Sequence, residues 1–313
     1  MHLKRTWRDY LALSAKGVLM GAADAIPGVS GGTIAFITGI YEELIYSLKQ
    51  CGPAAIKVLF RQGFGPMWQY VNGTFLFTLL LGILFSILTI SRVVLYWLDI
   101  YPVMLWSFFF GLILAAIWSL VRHVDEWKGS TIGFFIFGTV AAYFITTISP
   151  GQIQPTGLFV FLSGMVAICA MILPGISGSF ILLLLGMYTH ILTAVKDLEF
   201  ATLGLFAMGC VVGLLSFSRV LNWMFSSHRA LTLALLGGFM LGSLNKVWPW
   251  KHTLEFTLNR HGKEMPLVQE NILPATFETL SAQPAYLWYS IILMVVGAGI
   301  VLLLEKFGSD AQE

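Results

Sequence analysis

A series of long apolar runs constrains this chain more than any other feature of its sequence. Hydrophobic residues make up 57% of the 313 residues and charged residues only 11%, whereas soluble domains carry about 25% charged residues. Several runs approach the roughly 20 apolar residues that a helix needs to cross a bilayer. They are Phe75–Ile90, Val103–Leu120, Thr131–Ile148, Gly157–Leu173, Phe180–Leu192, Thr202–Phe217, Ala230–Leu244 and Leu287–Leu304. The sequence therefore predicts an all-α polytopic membrane protein with a single membrane domain over residues 1–313.

The chain contains the same pattern twice, which indicates an internal repeat. Gly17–Tyr41 includes Pro-Gly-Val-Ser-Gly, and Gly164–Tyr188 includes Pro-Gly-Ile-Ser-Gly 147 positions later. A second match, Ser-Arg-Val, surrounds Arg92 and recurs around Arg219 at the shorter offset of 127 positions. The two offsets differ by 20, so the first half contains about 20 additional residues between the two matches. We interpret 50–70 as this additional loop.

The two repeats cover about 11–149 and 158–304, and counting their spans predicts how they are oriented. The spans are 73–98, 102–121 and 131–149 in the first repeat and 202–225, 229–248 and 285–304 in the second. Each repeat begins with a helix that is interrupted at Pro-Gly. The two arms of this helix are too short to span the bilayer alone, which favours a re-entrant hairpin. Each repeat then crosses the membrane three times, or five times if both arms cross fully, and both numbers are odd. We therefore expect inverted-topology repeats, each with a re-entrant broken-helix hairpin followed by three transmembrane helices, as is typical of secondary transporters.

The distribution of positive charge predicts the orientation in the membrane. With a cytoplasmic N terminus, most lysines and arginines near the spans fall on the cytoplasmic side: Lys4, Arg5, Arg8, Lys16, Lys49, Lys57, Arg61, Arg122, Lys128 and Arg229. The short outer connections 99–101 and 149–157 carry none, and Lys196 is the exception. We expect a multi-pass inner-membrane protein with both termini in the cytoplasm.

The repeated Pro-Gly-x-Ser-Gly loops are the strongest candidates for a binding site. Proline ends the helix before it, and we expect the next helix to start at about Gly31 or Gly178. Its first N–H groups lack partners and carry partial positive charge. Two such helix ends that meet at mid-membrane would form a phosphate-sized anion site. The candidate residues are Gly28, Ser30, Gly31, Gly32, Thr33, Gly175, Ser177, Gly178 and Ser179. The alternative is close helix packing by small residues, and the duplication favours the anion site.

Arg92 and Arg219 occupy equivalent positions late in their spans. One interpretation is that each side chain extends toward the lipid headgroups. As an inverted pair they would instead lie on opposite sides of the midplane, where each could pass an anionic headgroup between water and the central site. The sequence leaves both interpretations open.

Acidic groups near the loops break the repeat symmetry. Met171 takes the place of Asp24, and Thr189 and His190 match Glu42 and Glu43. If protonation drives transport, the candidates for proton coupling are Asp24, Glu42, Glu43 and His190. Ordinary interfacial charge is the alternative and is favoured for the two glutamates.

A polar pair, Asn245 and Lys246, ends one apolar run and is a candidate for contact with a lipid headgroup. The aromatic residues Trp248 and Trp250 follow at once, and we interpret them as an interfacial belt. Cys51, Cys169 and Cys210 show no metal or redox spacing. We expect no metal, no cofactor, no catalytic residue and no nucleic-acid partner.

These motifs resemble the bacterial polyprenyl-phosphate transporter family, formerly a domain of unknown function. The resemblance rests on Gly21–Thr33, Met171–Phe180 and Gly242–Lys251, and it extends over essentially the whole chain. It implies flipping of undecaprenyl phosphate, or a related polyprenyl phosphate, from the outer to the cytoplasmic leaflet. That activity recycles the lipid carrier for peptidoglycan and other envelope glycans, with coupling to the proton motive force. The implied partners are this lipid and the surrounding membrane lipids.

Two other functions compete with this one. An undecaprenyl-pyrophosphate phosphatase also uses inverted repeats and a Pro-Gly-x-Ser loop, but it needs an acid/base group and a cationic clamp beside the serine. Here glycine follows Ser30 and Ser177, so we do not expect an enzyme. An anion channel would share the positive site without needing access for lipid. The sequence leaves open whether the protein forms a homo-oligomer.

Overall fold

The computed structural model describes residues 5–25, 29–148, 155–258 and 264–310. The helices of the first half are α1 (Trp7–Asp24), α2 (Gly31–Ile37), α3 (Tyr41–Gln50), α4 (Pro53–Gln62), α5 (Phe64–Tyr70), α6 (Gly73–Leu88), α7 (Ile90–Ile100), α8 (Pro102–Arg122) and α9 (Gly129–Thr147). The second half contains α10 (Gly157–Ile172), α11 (Gly178–Leu184), α12 (Tyr188–Lys196), α13 (Phe200–Ser227), α14 (Arg229–Val247), β1 (Lys251–Leu258), β2 (Glu264–Asn271), α15 (Pro274–Ser281) and α16 (Leu287–Asp310).

Five of these helices are long and apolar enough to cross a membrane, namely α8, α9, α13, α14 and α16. Two further pairs pass the same test together but are bent, by 72° between α5 and α6 and by 109° between α11 and α12. The described residues thus contain five to seven candidate spans. The prediction of a polytopic helical membrane protein is confirmed.

The first predicted span, 73–98, is broken rather than continuous. Helix α6 ends at Leu88 and α7 begins at Ile90. The Thr89 hydroxyl donates to the carbonyl of Phe85 at 2.6 Å, and the Ser91 hydroxyl donates to that of Ser86 at 3.0 Å. Hydroxyl groups that bond to preceding carbonyls compete with the helical ladder and bend helices, which explains the break.

Two segments that the sequence presented as loops contain regular structure. The inserted 50–70 segment forms α4 and α5, because Pro53 lies at the start of α4 and Gly63 follows its end, where these residues cap a helix. The long connection 249–284 contains an antiparallel hairpin that pairs Lys251 with Asn271. Its first strand alternates apolar and polar residues, a period that we had overlooked. The all-α fold class therefore holds for the membrane domain, and this hairpin is a local β-structure that the sequence reading did not include.

Glycines that match between the two halves allow equivalent helix pairs to pack closely. Helix α1 packs on α6, where a Cβ at Gly17 would collide with the carbonyl oxygen of Leu79. Helix α10 packs on α13, where a Cβ at Gly164 would collide with the carbonyl oxygen of Phe206. The close backbone approach is the type of contact that small residues permit between membrane helices.

The remaining long helices pair across the two halves, α8 with α16 and α9 with α14. Gly111 on α8 faces the backbone of Met294, and Gly238 on α14 faces the backbone of Phe135. The largest buried cluster extends between these pairs and the first loop, with Ile113, Leu236 and Met240 fully enclosed. The core thus surrounds the segments where the Pro-Gly loops lie.

The bundle has two ends, which we define by their contacts. At the N-terminal face, Arg5 and Asn72 bond to Glu43, and Arg229 pairs with Glu42. At the hairpin face, Trp250, Val103, Phe277 and Ala285 form a small core beneath the β-hairpin. Trp250 is only 4% exposed and donates its indole N–H to the carbonyl of Ala285. The interpretation of Trp248 and Trp250 as an interfacial belt stays a prediction.

Candidate functional site

The described part of the first Pro-Gly loop, from Val29 onward, bonds directly to the second Pro-Gly loop inside the bundle. The backbone N–H of Gly175 donates to the hydroxyl of Thr33 at 2.9 Å, and the hydroxyl of Ser30 donates to the carbonyl of Met171 at 3.0 Å. Ser30 and Thr33 are fully buried. Segments that are about 140 residues apart in the chain are thus joined by hydrogen bonds of good geometry.

A tyrosine that we did not select as a site residue strengthens this junction. The Tyr41 hydroxyl donates to the carbonyl of Ile172 at 3.1 Å, and its ring packs edge-on against Phe36 and Phe225. The repeated Gly-x-Tyr that ends at Tyr41 and Tyr188 was visible in the sequence and is the signal that could have identified it.

Helix α2 begins at Gly31, as the sequence predicted, and its first N–H groups already have partners. The Gly31 N–H donates to a carboxylate oxygen of Asp24 at 2.7 Å, and the Gly32 N–H donates to the Ser30 hydroxyl at 3.0 Å. Asp24, which we had selected only for proton coupling, therefore provides an anion at this helix end. Pro27 and Gly28 lie outside the described residues.

The second loop begins its helix at Gly178, also as predicted, but it is capped differently. The hydroxyls of Ser177 and Ser179 lie 2.8 Å apart and bond to each other, so Ser177 does not cap the helix as Ser30 does. Gly175 has a φ of +88°, a conformation that glycine tolerates and other residues avoid. Asp24 adds a second difference between the loops, because Met171 at the matching position has no carboxylate to accept from a backbone N–H.

The predicted arginine pair lies away from the two loops in this structure. Arg92 is exposed near the start of α7 and forms no hydrogen bond or ion pair to another described side chain. Arg219 is exposed on α13, where its guanidinium donates to the carbonyl of Leu215 at 2.6 Å and lies against Gly52. Their part in headgroup transfer stays a prediction.

The two glutamates considered for proton coupling are paired with cations at the N-terminal face. Arg5 binds Glu43 with both of its terminal nitrogens, one of them at 2.8 Å. This hydrogen bonding raises the pKa of Arg5. Glu42 is paired with Arg229 at 3.0 Å. His190 is half-buried on α12.

A polar pocket of about 330 Å³ lies at the hairpin face. It contains Asn245 and Lys246, the predicted headgroup contacts, together with Lys251 and Asn271 from the base of the β-hairpin. Burial, together with the positive charge of Lys246, lowers the pKa of Lys251 from 10.5 to about 7. Lys251 was missed although it lies only five residues after Lys246, and Asn271 was missed because only strand pairing brings it to Lys251.

Metal binding has no support in the part of the chain that the structure describes. These residues contain no group of three or more histidine, cysteine, aspartate or glutamate side chains that could hold an ion. The three cysteines are free thiols.

Comparison with known proteins identifies the family. A family model described as undecaprenyl phosphate translocase-like matches residues 20–265. The chain belongs to this family. It is 48% identical over 299 residues to a polyprenyl-phosphate transporter of Vibrio cholerae serotype O1 (strain ATCC 39315 / El Tor Inaba N16961), a match that covers 96% of this chain and 97% of the relative.

A second relative is less similar. The polyprenyl-phosphate transporter of Staphylococcus aureus (strain NCTC 8325 / PS 47) is 33% identical over 252 residues, which cover 75% of this chain and 84% of the relative. No solved structure matches the chain. The family match includes both Pro-Gly loops and the lysines of the polar pocket.

Proposed function

We propose that this protein transports undecaprenyl phosphate from the outer to the cytoplasmic leaflet and so recycles the lipid carrier of cell-envelope glycan synthesis. The observation that carries the proposal is the direct junction of the two Pro-Gly loops through Thr33 and Gly175. Irregular backbone at membrane depth is tolerated where it is enclosed by protein or lines a cavity. The choice of a polyprenyl phosphate as the substrate rests on the names of the two relatives, which are polyprenyl-phosphate transporters.

The proposal includes an inverted-repeat architecture in the bacterial inner membrane with both termini in the cytoplasm. In the first half, Lys16 donates to the carbonyl of Thr38 at 2.7 Å, so the chain after the loop folds back along α1 toward the N-terminal face. In the second half, Met187 and Ile191 pack on Val160 near the start of α10. Two hairpins that return to opposite faces support repeats over 11–149 and 158–304.

Transport requires the loop junction to open, because the groups that join the two loops already bond to protein partners. Asp24 and Ser30 accept hydrogen bonds from the first N–H groups of α2, and Thr33 accepts one from the N–H of Gly175. A phosphate group is a strong acceptor that could replace these oxygens when the two hairpins separate. The polyprenyl chain would stay in the bilayer while the headgroup passes the loops.

Asp24 is our candidate for coupling this step to protons. Its carboxylate accepts from Gly31 at the same helix end where the phosphate would bind, so the two anions compete for one set of donors. Protonation of Asp24 would remove its charge and weaken its hold on the helix end. Glu42, Glu43 and His190 are secondary candidates, since both glutamates are engaged with arginines in this structure.

We assign Arg92 and Arg219 to headgroup transfer rather than to the central site. Both side chains are exposed, and movement of the hairpins would be needed to bring them to a phosphate. Among the described residues, no histidine or arginine contacts the Ser30 hydroxyl, which instead donates to Met171. This arrangement favours transport over a phosphatase reaction, which needs a base and a cationic clamp at the serine.

The experiment is a leaflet-specific assay in proteoliposomes. Labelled undecaprenyl phosphate is placed in both leaflets, and its loss from the outer leaflet is followed by a membrane-impermeant probe with and without an imposed pH gradient. We expect protein-dependent translocation that the gradient accelerates. Translocation that is independent of protein would refute the transporter assignment.

Two controls separate the competing functions. Release of inorganic phosphate from undecaprenyl pyrophosphate by the purified protein would establish the enzyme. Uptake of small anions into the same vesicles, without movement of lipid, would establish the channel. We expect neither signal above that of protein-free vesicles.

A further inference from the structure

The polar pocket at the hairpin face lies between α9, α11, α14 and β2. Thr146 and Thr147 line it from the end of α9, and Phe180 and Leu183 line it from α11. Phe180 directly follows Ser179 of the second Pro-Gly loop. The pocket therefore connects the hairpin face with the segment that contributes to the central site.

The pocket carries an excess of positive charge. Both Lys246 and Lys251 line it, and the Lys246 ammonium lies 4.7 Å from the centre of the Phe180 ring. Neither lysine forms an ion pair with any carboxylate of the described chain, and the acidic residue that lines the pocket, Glu270, is exposed. Two cations in a recess of a membrane protein are costly unless an anion joins them.

The β-hairpin holds these groups in place. Lys251 donates to the side-chain oxygen of Asn271 at 2.9 Å and to the carbonyl of Asn245 at 3.3 Å. The Asn271 amide donates in turn to the side-chain oxygen of Asn245 at 2.7 Å. Because Lys251 and Asn271 are paired in the strand register, the base of the hairpin fixes both residues beside Lys246.

An apolar path leads along α9 to the rim of the pocket. Phe137 and Phe144 are 65% and 60% exposed, and Val140 lies between them on the same side of the helix. This spacing forms one face of an α-helix, and in a bilayer such a face contacts lipid chains. It ends beside Thr147, so a chain that lies on this face would bring its headgroup to the pocket.

We propose that this pocket captures the phosphate-monoester headgroup of a single-chain lipid from the adjacent leaflet, with its tail on the exposed face of α9. A phosphate monoester carries about −1.5 to −2 charges at pH 7, which match two lysines, whereas the phosphodiester of an ordinary phospholipid carries only one. The pocket thus selects the carrier lipid before it reaches the loops. This assignment rests on the proposed transport function and specifies where the substrate is recognised.

Binding to the full chain in nanodiscs tests the assignment. The probe is farnesyl phosphate, a short polyprenyl phosphate, and the variants are Lys246→Gln, Lys251→Gln and both together. We expect each single change to weaken binding about 10-fold, which corresponds to the loss of one charge-assisted contact, and arginine at both positions to retain most of the affinity. Lys196→Gln, an exposed lysine on α12 outside the pocket, is the matched control and should bind like the wild type.

Competitors distinguish the source of the phosphate. Farnesol should bind weakly because it lacks the headgroup, and inorganic phosphate should compete poorly because it lacks the tail. If inorganic phosphate binds as tightly as farnesyl phosphate and depends on the same lysines, the pocket is a free-anion site and the lipid assignment is wrong. Bound farnesyl phosphate should also protect Lys246 and Lys251 of the unmodified protein from an amine-reactive reagent, a result that does not depend on how the variants fold.

The transport assay separates the two levels of the proposal. A wild-type protein that translocates undecaprenyl phosphate, together with a folded double variant that binds and transports equally well, would overturn the capture pocket and leave the transport function intact. A wild-type protein that moves no polyprenyl phosphate would instead overturn the transport function itself. Slower transport by the double variant at low lipid content, restored at high lipid content, is the outcome that we expect.

Discussion

The Thr33 hydroxyl accepts a hydrogen bond from the backbone N–H of Gly175 at 2.9 Å. This bond joins the first helix after one Pro-Gly loop to the glycine of the other loop, and both groups are buried. A buried N–H that loses its partner costs about 1–3 kcal/mol. The bond therefore stabilises the closed junction and must be broken when the loops separate.

Replacement of Thr33 tests this junction. Thr33→Val has a similar shape but no acceptor, so we expect it to destabilise the closed state by about 1–3 kcal/mol. Thr33→Ser keeps the acceptor and should lose less of this stability. The midpoint of thermal unfolding in detergent and the rate of lipid translocation measure the two effects. Equal stability of the valine and serine variants would show that the bond does not hold the loops together.

Asp24 should tolerate asparagine better than alanine. Asparagine keeps a carbonyl oxygen that can accept from Gly31, while alanine leaves that N–H without its partner. We expect Asp24→Asn to fold with nearly wild-type thermal stability but to lose acceleration by a pH gradient in the proteoliposome assay. A full response to the gradient in this variant would exclude Asp24 as the proton carrier.

The crossing of α1 and α6 should tolerate no side chain at Gly82. A Cβ at this position would collide with the carbonyl oxygen of Ser14, and overpacking of this kind costs about 1–3 kcal/mol. We expect Gly82→Ala to lower the midpoint of thermal unfolding. Gly133→Ala is the control, because no atom lies within 4 Å of its added Cβ. A control variant as unstable as Gly82→Ala would contradict this explanation.

Binding of a phosphate lipid at the hairpin-face pocket should depend on pH through Lys251. Its pKa is lowered to about 7, so the ammonium is charged below that pH and becomes neutral as the pH rises through it. Lys246, Glu270 and Tyr143 also line the pocket. We expect farnesyl phosphate to bind more tightly at pH 6.5 than at pH 8.5, by several-fold.

Lys251→Arg isolates this contribution because arginine stays charged over the whole range. Titration of the phosphate itself affects both proteins equally, so the ratio of their affinities reports on residue 251. The affinity of the Lys251→Arg variant relative to that of the wild type should be higher at pH 8.5 than at pH 6.5. A constant ratio would show that Lys251 does not titrate near neutrality when lipid binds.

Local sequence was sufficient to predict the membrane class, most spans and the starts of the two central helices. The bilayer core excludes polar groups, so a membrane span is recognisable as an apolar run. Proline and glycine act on the backbone within a few residues, so their effect is also local. Helices α2 and α11 therefore begin at Gly31 and Gly178 as expected. The break at Thr89 was missed because it depends on the hydroxyl bonds of Thr89 and Ser91, which a hydropathy pattern does not register.

Only the tertiary structure decided which polar groups share a site. Asp24 and Gly31 are close in the chain, but the bond between Thr33 and Gly175 and the bond between Lys251 and Asn271 depend on how distant helices and the strands of a β-hairpin pack. The sequence determined that two interrupted helices exist. Packing determined that the Gly175 N–H donates to the Thr33 hydroxyl, and that two lysines without an ion pair among the described residues share a pocket at the hairpin face. The physical reason is that hydrogen bonds and charge pairs depend on distances in space, which a residue's neighbours in sequence do not set.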